Sequence, residues 1–305
     1  MRILITGAGG FVGRHTCRDL LTHGHAIQAM DLTGPSAAST ITDWTVCDLR
    51  DSKATDNAIR TIRPEACIHL AGFSHVPAGW SKPKELFEAN VIGTINLLEA
   101  FRNHAPAARL LIVTTAQVYG TQSGPAALSE ADPLLPVSLY AVSKVAVDQM
   151  TLLYARHYGM ATMTVRPNNH IGPGQPPDFV VSSLARQVRA IAAGAEPVIR
   201  VGNLESQRDF TDVRDVARAY RLLIEKGRSG SAYNLGSGHL VSIDEILGHL
   251  CRLANVKPEV IRDDQLFRER DSSPILDTSK LRTDTNWRPE IDLQSSLRDI
   301  LAEQA

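Results

Sequence analysis

Residues 2–13 read RILITGAGGFVG, an apolar run that meets Gly7, Gly10 and Gly13 and then continues in helical pattern from Phe11 to His23. A short buried strand, a glycine turn and a helix start are packed into a dozen residues. Glycine lacks a Cβ, so a backbone of this composition can approach a ligand closely, and a helix N-terminus offers unpaired N–H groups to an anion. The context is the one in which a dinucleotide pyrophosphate is cradled. An ordinary strand-to-helix turn would show the glycines without the acid that follows.

That acid is Asp31, which closes the next apolar run, Ala26 to Asp31, 18 residues past Gly13. A carboxylate there can accept hydrogen bonds from ribose hydroxyls and repels a 2'-phosphate. No Arg or Lys follows in LTGPSAAST to offset the repulsion, so NAD(H) is favoured over NADP(H). Further short runs at Ala66 to Leu70, Leu110 to Thr115 and Ala161 to Val165 read as buried parallel strands. Helical patterns at Glu85 to Asn103 and Tyr140 to Tyr158 fill the gaps. This alternation predicts an α/β protein with a Rossmann-type doubly wound parallel sheet, binding ligands beyond the carboxyl ends of its strands.

The pattern changes at NNHIGPGQPPD, which is dense in Pro, Gly and Asn. We expect a dinucleotide-binding domain over residues 1–165 and a smaller, mainly substrate-binding domain over 166–305, with the chain returning to the first near 208–235. Helices are predicted at Phe179 to Ala193, Val213 to Glu225, Ile243 to Leu253 and Leu293 to Leu301, and strands near Val198 to Val201 and at the AYNL of 232–235.

Across 305 residues the formal net charge is −1, with no basic stripe, which argues against nucleic acid or an anionic membrane as partner. No apolar run reaches the length that spans a bilayer. Cys17, Cys47, Cys67 and Cys251 lack metal-ligand spacing and read as reduced thiols, so the expected location is the cytoplasm and no metal site is expected. Trp44, Trp80 and Trp287 read as packing residues, and His170 as a satisfied loop histidine.

In LYAVSK, Tyr140 and Lys144 are four residues apart, so a helix lays a phenol and an ammonium on one face. GAGGFVG, Asp31, HLAG, TTAQVYG and YAVSK follow the order and approximate spacing of extended short-chain dehydrogenase/reductases acting on nucleotide sugars, and the chain resembles that family over its whole length. The resemblance implies a catalytic set of Thr115, Tyr140 and Lys144, with Lys144 also holding the nicotinamide ribose. It extends the cofactor contacts to Phe11, Val12, Leu70, Ala71, Gly72 and Asn90, and to Asp48 and Leu49 beside the adenine. Strand-end turns are the alternative for the 48–49 and 71–72 pairs. It also implies a homodimer packed through helices 85–103 and 140–158.

Chemistry agrees with that set. Reducing a ketone requires a proton at the developing alkoxide, and a phenol can donate one. With a reference pKa of about 10, the phenol is expected to need a nearby cation to exchange protons near neutrality. Thr115 can orient the carbonyl oxygen, or simply cap its strand. In the sugar 4,6-dehydratases of this family an acidic pair follows the Thr; Ala116 and Gln117 stand there and cannot serve as acid or base.

The segments NNHIGPGQ and VGNLESQRDFTDVRDV resemble the reductases that convert GDP-4-dehydro-6-deoxymannose to GDP-rhamnose, with Asn168 replacing a more usual Phe. By that resemblance Asn169, Val180, Arg208 and Arg268 contact a nucleotide-sugar substrate, as does Thr115. An amide suits sugar oxygens and a guanidinium fork suits a diphosphate, although Arg208 can instead pair with Asp209, Asp212 or Asp215. The expected function is NAD(P)H-dependent reduction of a C4 ketone on a nucleotide-linked 4-keto-6-deoxyhexose. A nucleotide-sugar 4-epimerase that keeps its NAD bound is the alternative, and a non-catalytic dinucleotide sensor a third reading.

Overall fold

Ile3, Leu4 and Ile5 carry no exposed surface on either face, which is why the first strand reads as an unbroken apolar run. A computed structural model describes residues 1–36, 41–73, 80–121, 127–266 and 273–303. Its elements in the first half are β1 (Arg2–Thr6), α1 (Phe11–Thr22), β2 (Ala26–Asp31), β3 (Trp44–Val46), α2 (Ser52–Ile62), β4 (Ala66–His69), α3 (Pro83–Phe87), α4 (Gly93–His104), β5 (Arg109–Val113), α5 (Leu139–Tyr158) and β6 (Ala161–Pro167). The second half holds β7 (Asn169–Ile171), α6 (Val180–Ala192), β8 (Val198–Val201), β9 (Gln207–Asp212), α7 (Val213–Lys226), β10 (Ala232–Leu235), β11 (Leu240–Ser242), α8 (Ile243–Ala254), β12 (Glu259–Arg262), α9 (Ser279–Thr285) and α10 (Leu293–Ala302).

Seven strands form one parallel sheet in the order β10-β6-β5-β4-β1-β2-β3, with helices on both faces. The order reverses between β1 and β4, and the switch point opens a crevice at the carboxyl ends of those strands. The Rossmann-type doubly wound fold is therefore present. A three-stranded sheet, β11-β9-β7, and the β12-β8 pair lie in the second half of the chain. Two second-half elements join the large sheet: β10 pairs with β6, and α7 packs on α1. Trp287, fully buried, shares a core cluster with Ile3, Ile5 and Tyr220.

The sequence pattern and the structure part at two places that matter for the site. The helix expected from Glu85 to Asn103 is interrupted by a π-helical turn over Glu88–Ile92, a geometry that inserts one residue per turn and recurs at functional sites. The strand expected to reach Thr115 ends at Val113, because Thr114 N–H donates to Val165 O and Thr115 caps a 3-10 turn, Ala116–Tyr119, by accepting from Gln117 N–H. The short β3, β7, β9, β11 and β12, together with α2 and α9, were not anticipated.

Candidate functional site

The glycine turn is built so that no side chain fits. A Cβ on Gly7, which has φ of 71°, would stand 2.8 Å from Ala71 N, and one on Gly13 would stand 2.2 Å from Gly7 O. Gly10 is the N-cap of α1 and supplies no side chain, leaving first-turn N–H groups for an anion. Asp31 faces this turn: its Oδ2 accepts from Gly9 N–H at 2.9 Å and its Oδ1 from Leu32 N–H at 2.7 Å. These residues fit a dinucleotide, with the pyrophosphate at the turn and the adenosine toward Asp31.

Turn and carboxylate line a cavity of about 1240 Å3, larger than the roughly 300–1000 Å3 of a typical single-ligand pocket. Gly7, Gly10, Phe11, Val12, Gly13, Asp31, Leu70 and Gly72 are on its wall. Asp48, Leu49, Ala71 and Asn90 are not on the wall. Asp48 is engaged by Arg50 at 2.7 Å, and Leu49 is buried beneath Gly93. Ala71 N–H donates to Thr6 Oγ1. Asn90, on the π turn, accepts from Phe73 N–H at 2.7 Å and donates to Phe73 O and to Ser143 Oγ. Its amide thus ties the 72–73 segment to the helix carrying Tyr140.

At the other end of the cavity, Ser138 caps α5 by accepting from Ala141 N–H, which sets Tyr140 and Lys144 in its first turns. Both are buried and both line the cavity. Thr115 accepts from Gln117 N–H at 3.2 Å and shares the cavity wall with the Tyr140 phenol. Lys144 Nζ donates to Val113 O at 3.2 Å, so the strand end holds the ammonium in place. Burial pulls the Lys144 pKa down to about 8. Burial also pushes Tyr140 up to about 12, against the opposing hydrogen bond from Thr115. Tyr140 thus keeps its proton near neutrality, the form an acid needs.

Three elements of the second half close the cavity opposite Tyr140. From β7 and the residue before it come Asn168, Asn169 and His170; from the start of α6 come Phe179 and Val180; from β9 comes Arg208. The first turn of α6 has no side-chain cap, so its N–H groups are open to an anion. Asn169 donates to Ser273 Oγ at 2.7 Å, and Asn168 to Pro274 O at 3.0 Å. Asp209 accepts from Ser237 and Gly238, Asp212 from Arg214 and Ser296, and Asp215 from Arg218. Arg268 lies outside the described residues.

Several cavity residues were not read from the sequence. His170 lies in a strand, with Nε2 3.5 Å from Tyr220 Oη, and burial lowers its pKa to about 4, which keeps the imidazole neutral. Tyr220, fully buried, reaches the cavity from α7. Gln117, Phe73 and Trp44 also line it. Trp287 packs as expected, whereas Trp80 is 63% exposed. Among the described residues no His, Cys, Asp and Glu cluster could hold a metal, and no helix is long and apolar enough to cross a membrane.

A Rossmann-type sheet with Thr115, Tyr140 and Lys144 gathered over the end of a dinucleotide crevice defines a nicotinamide-dependent short-chain dehydrogenase/reductase. The chain belongs to the GDP-mannose 4,6-dehydratase family, whose model matches residues 4–300. It is 34% identical to the GDP-6-deoxy-D-mannose reductase of Pseudomonas aeruginosa, over 99% of this chain and 96% of that protein. Among solved structures, RMD from Pseudomonas aeruginosa complexed with NADPH superposes with a TM-score of 0.86 at 32% identity, covering 99% of this chain and 97% of that one. The UDP-glucose 4-epimerase of Thermus thermophilus complexed with NAD gives 0.87 at 29% identity, covering 99% and 98%.

Proposed function

We propose that this protein reduces the C4 ketone of GDP-4-dehydro-6-deoxy-D-mannose to give GDP-D-rhamnose. The observation that carries the reading is the composition of the reaction centre: Tyr140 and Thr115 share the cavity wall with Lys144, with Ala116 buried and Gln117 neutral beside them. That set can protonate an alkoxide and holds no carboxylate at 116 or 117 for removing water from the sugar. The likeness to the Pseudomonas aeruginosa reductase supports the choice of substrate.

A reduced nicotinamide bound at the Tyr140 end supplies the hydride. Thr115 orients the C4 oxygen, and Tyr140 passes its proton to that oxygen as negative charge develops. An alkoxide is a stronger base than a phenolate, so the transfer runs downhill even from a phenol raised to about 12. The charge left on Tyr140 faces the Lys144 ammonium, whose nitrogen is 6.0 Å from the ring centroid. We assign Asn169, Val180 and Arg208 to the nucleotide sugar, and the part of residues 166–305 outside β10, α7 and the Trp287 segment to substrate binding.

Asp31 supports NADH over NADPH, since a 2'-phosphate would meet its carboxylate; the Pseudomonas aeruginosa structure contains NADPH, so the choice is this chain's own. Ile92, Val142, Leu153 and Tyr158 are exposed on the π turn, α5 and its end, and support a homodimer through those helices. Four free thiols, three of them buried, suit a reducing compartment, and we place the protein in the cytoplasm.

The test is incubation with GDP-4-dehydro-6-deoxy-D-mannose and each reduced cofactor, with product identification by NMR. One reduced nicotinamide consumed per GDP-rhamnose formed is the expected result. Interconversion of C4 epimers with no net change at 340 nm would select the epimerase reading, which the fold of the Thermus thermophilus enzyme keeps in view. Sedimentation velocity checks the dimer.

A further inference from the structure

Trp44 opens β3, yet its ring faces the ligand cavity as well as the core. The indole Nε1–H donates to Thr33 O at 2.8 Å, fastening one end of the ring to the turn that follows Asp31. The other end reaches the glycine turn: a Cβ on Gly9 would stand 3.7 Å from Trp44 Cη2 and 3.2 Å from Asp31 Oδ2. The ring therefore bridges residue 33 and Gly9 alongside the carboxylate that faces the adenosine ribose.

We propose that Trp44 is an adenosine-contacting residue that sets cofactor choice, its ring serving as the apolar wall for the adenosine and taking up the space a 2'-phosphate requires. This rests on the NADH reading above. A 2'-phosphate brings strong negative charge and needs donors. Indole has one N–H and no other polar atom, and that donor is spent on Thr33 O. Asp31 adds repulsion at the same spot. Arg14, on the cavity wall, spends two of its five N–H donors on Gly9 O at 2.8 Å and Gly174 O at 3.1 Å. Space and charge thus act together, and the ring contributes the space.

Calorimetric titration of the wild type, Trp44→Phe and Trp44→Leu with NADH, NADPH and ADP-ribose tests this. Losing the ring in Trp44→Leu should weaken ADP-ribose and NADH by roughly 5- to 100-fold, the range for losing an aromatic against a base. NADPH should weaken less, so the NADH preference narrows. In the wild type, ADP-ribose should quench indole emission, and Trp44→Phe should abolish most of that quench while retaining a folded, cofactor-binding protein. A wild type that prefers NADPH overturns the cofactor reading and this inference together. A wild type that prefers NADH, with an unchanged preference in Trp44→Leu or an undiminished quench in Trp44→Phe, overturns the role of Trp44 alone.

Discussion

Lys144 Nζ stands 6.0 Å from the centroid of the Tyr140 ring while donating to Val113 O at 3.2 Å. The carbonyl that ends β5 thus fixes a cation beside the phenol, in a pocket where burial lowers the pKa of the lysine and raises that of the tyrosine. The pair is set for donation: the acid is loaded, and the charge that steadies its conjugate base is in place.

Replacing Tyr140 with Phe removes the donor and keeps the ring that packs at the cavity wall. Turnover should fall by roughly 100- to 10,000-fold, the usual contribution of a general acid. Cofactor affinity, measured by fluorescence titration, should stay nearly unchanged. A fully active variant would remove Tyr140 from the mechanism.

The lysine makes the reaction pH-dependent in a defined direction. Lys144 helps only while protonated, and its pKa in the free protein is lowered to about 8 by burial. Reduction measured as kcat/KM should therefore be at its plateau below pH 8 and decline as pH rises through that value. Tyr140, raised to about 12, keeps its proton throughout this window. A profile that stays level to pH 10 would contradict the role given to the ammonium.

Restoring the acidic pair at Ala116→Asp and Gln117→Glu should not create a dehydratase. Gln117 lines the cavity, but Ala116 is 2% exposed and absent from its wall, so a carboxylate there meets the core instead of the sugar. We expect a destabilised protein that shows no dehydration of GDP-mannose by mass spectrometry. Efficient dehydration by this double variant would show that residue 116 reaches the substrate.

Beneath the catalytic helix, Arg166 forms a bidentate pair with Asp148, the two side chains 3% and 0% exposed. Arg166 also donates to Tyr119 Oη and Glu130 O. Asp148→Leu leaves a buried guanidinium without its counter-ion and should cost about 3–5 kcal/mol. Urea unfolding measures the loss. A change under about 1 kcal/mol would mean that Arg166 finds another partner or water in the variant.

Local features of the sequence were readable because they act locally. The glycines at 7, 10 and 13 are required by backbone approaches within the strand-turn-helix unit and, for Gly7, to the segment after β4, so their spacing together with Asp31 announced the crevice. The four-residue step from Tyr140 to Lys144 is a property of any helix, and Asp31 is placed by the length of one βαβ unit. Asp48 is a less local case: its motif position suggested the adenine, and in the structure its carboxylate also accepts from Arg50, two residues on.

The sequence by itself determined the doubly wound sheet, the glycine turn and the placing of Tyr140 and Lys144 on one helix face, because each follows from short-range pattern and stereochemistry. Only the tertiary structure decided how those groups behave. Burial pushes the Tyr140 phenol up to about 12 and pulls the Lys144 ammonium down to about 8. The π turn put Asn90 against the 72–73 segment, and Thr33, Gly9 and Trp44 converged from separate elements beside Asp31. Desolvation and close approach arise from packing between distant segments, which no linear pattern encodes.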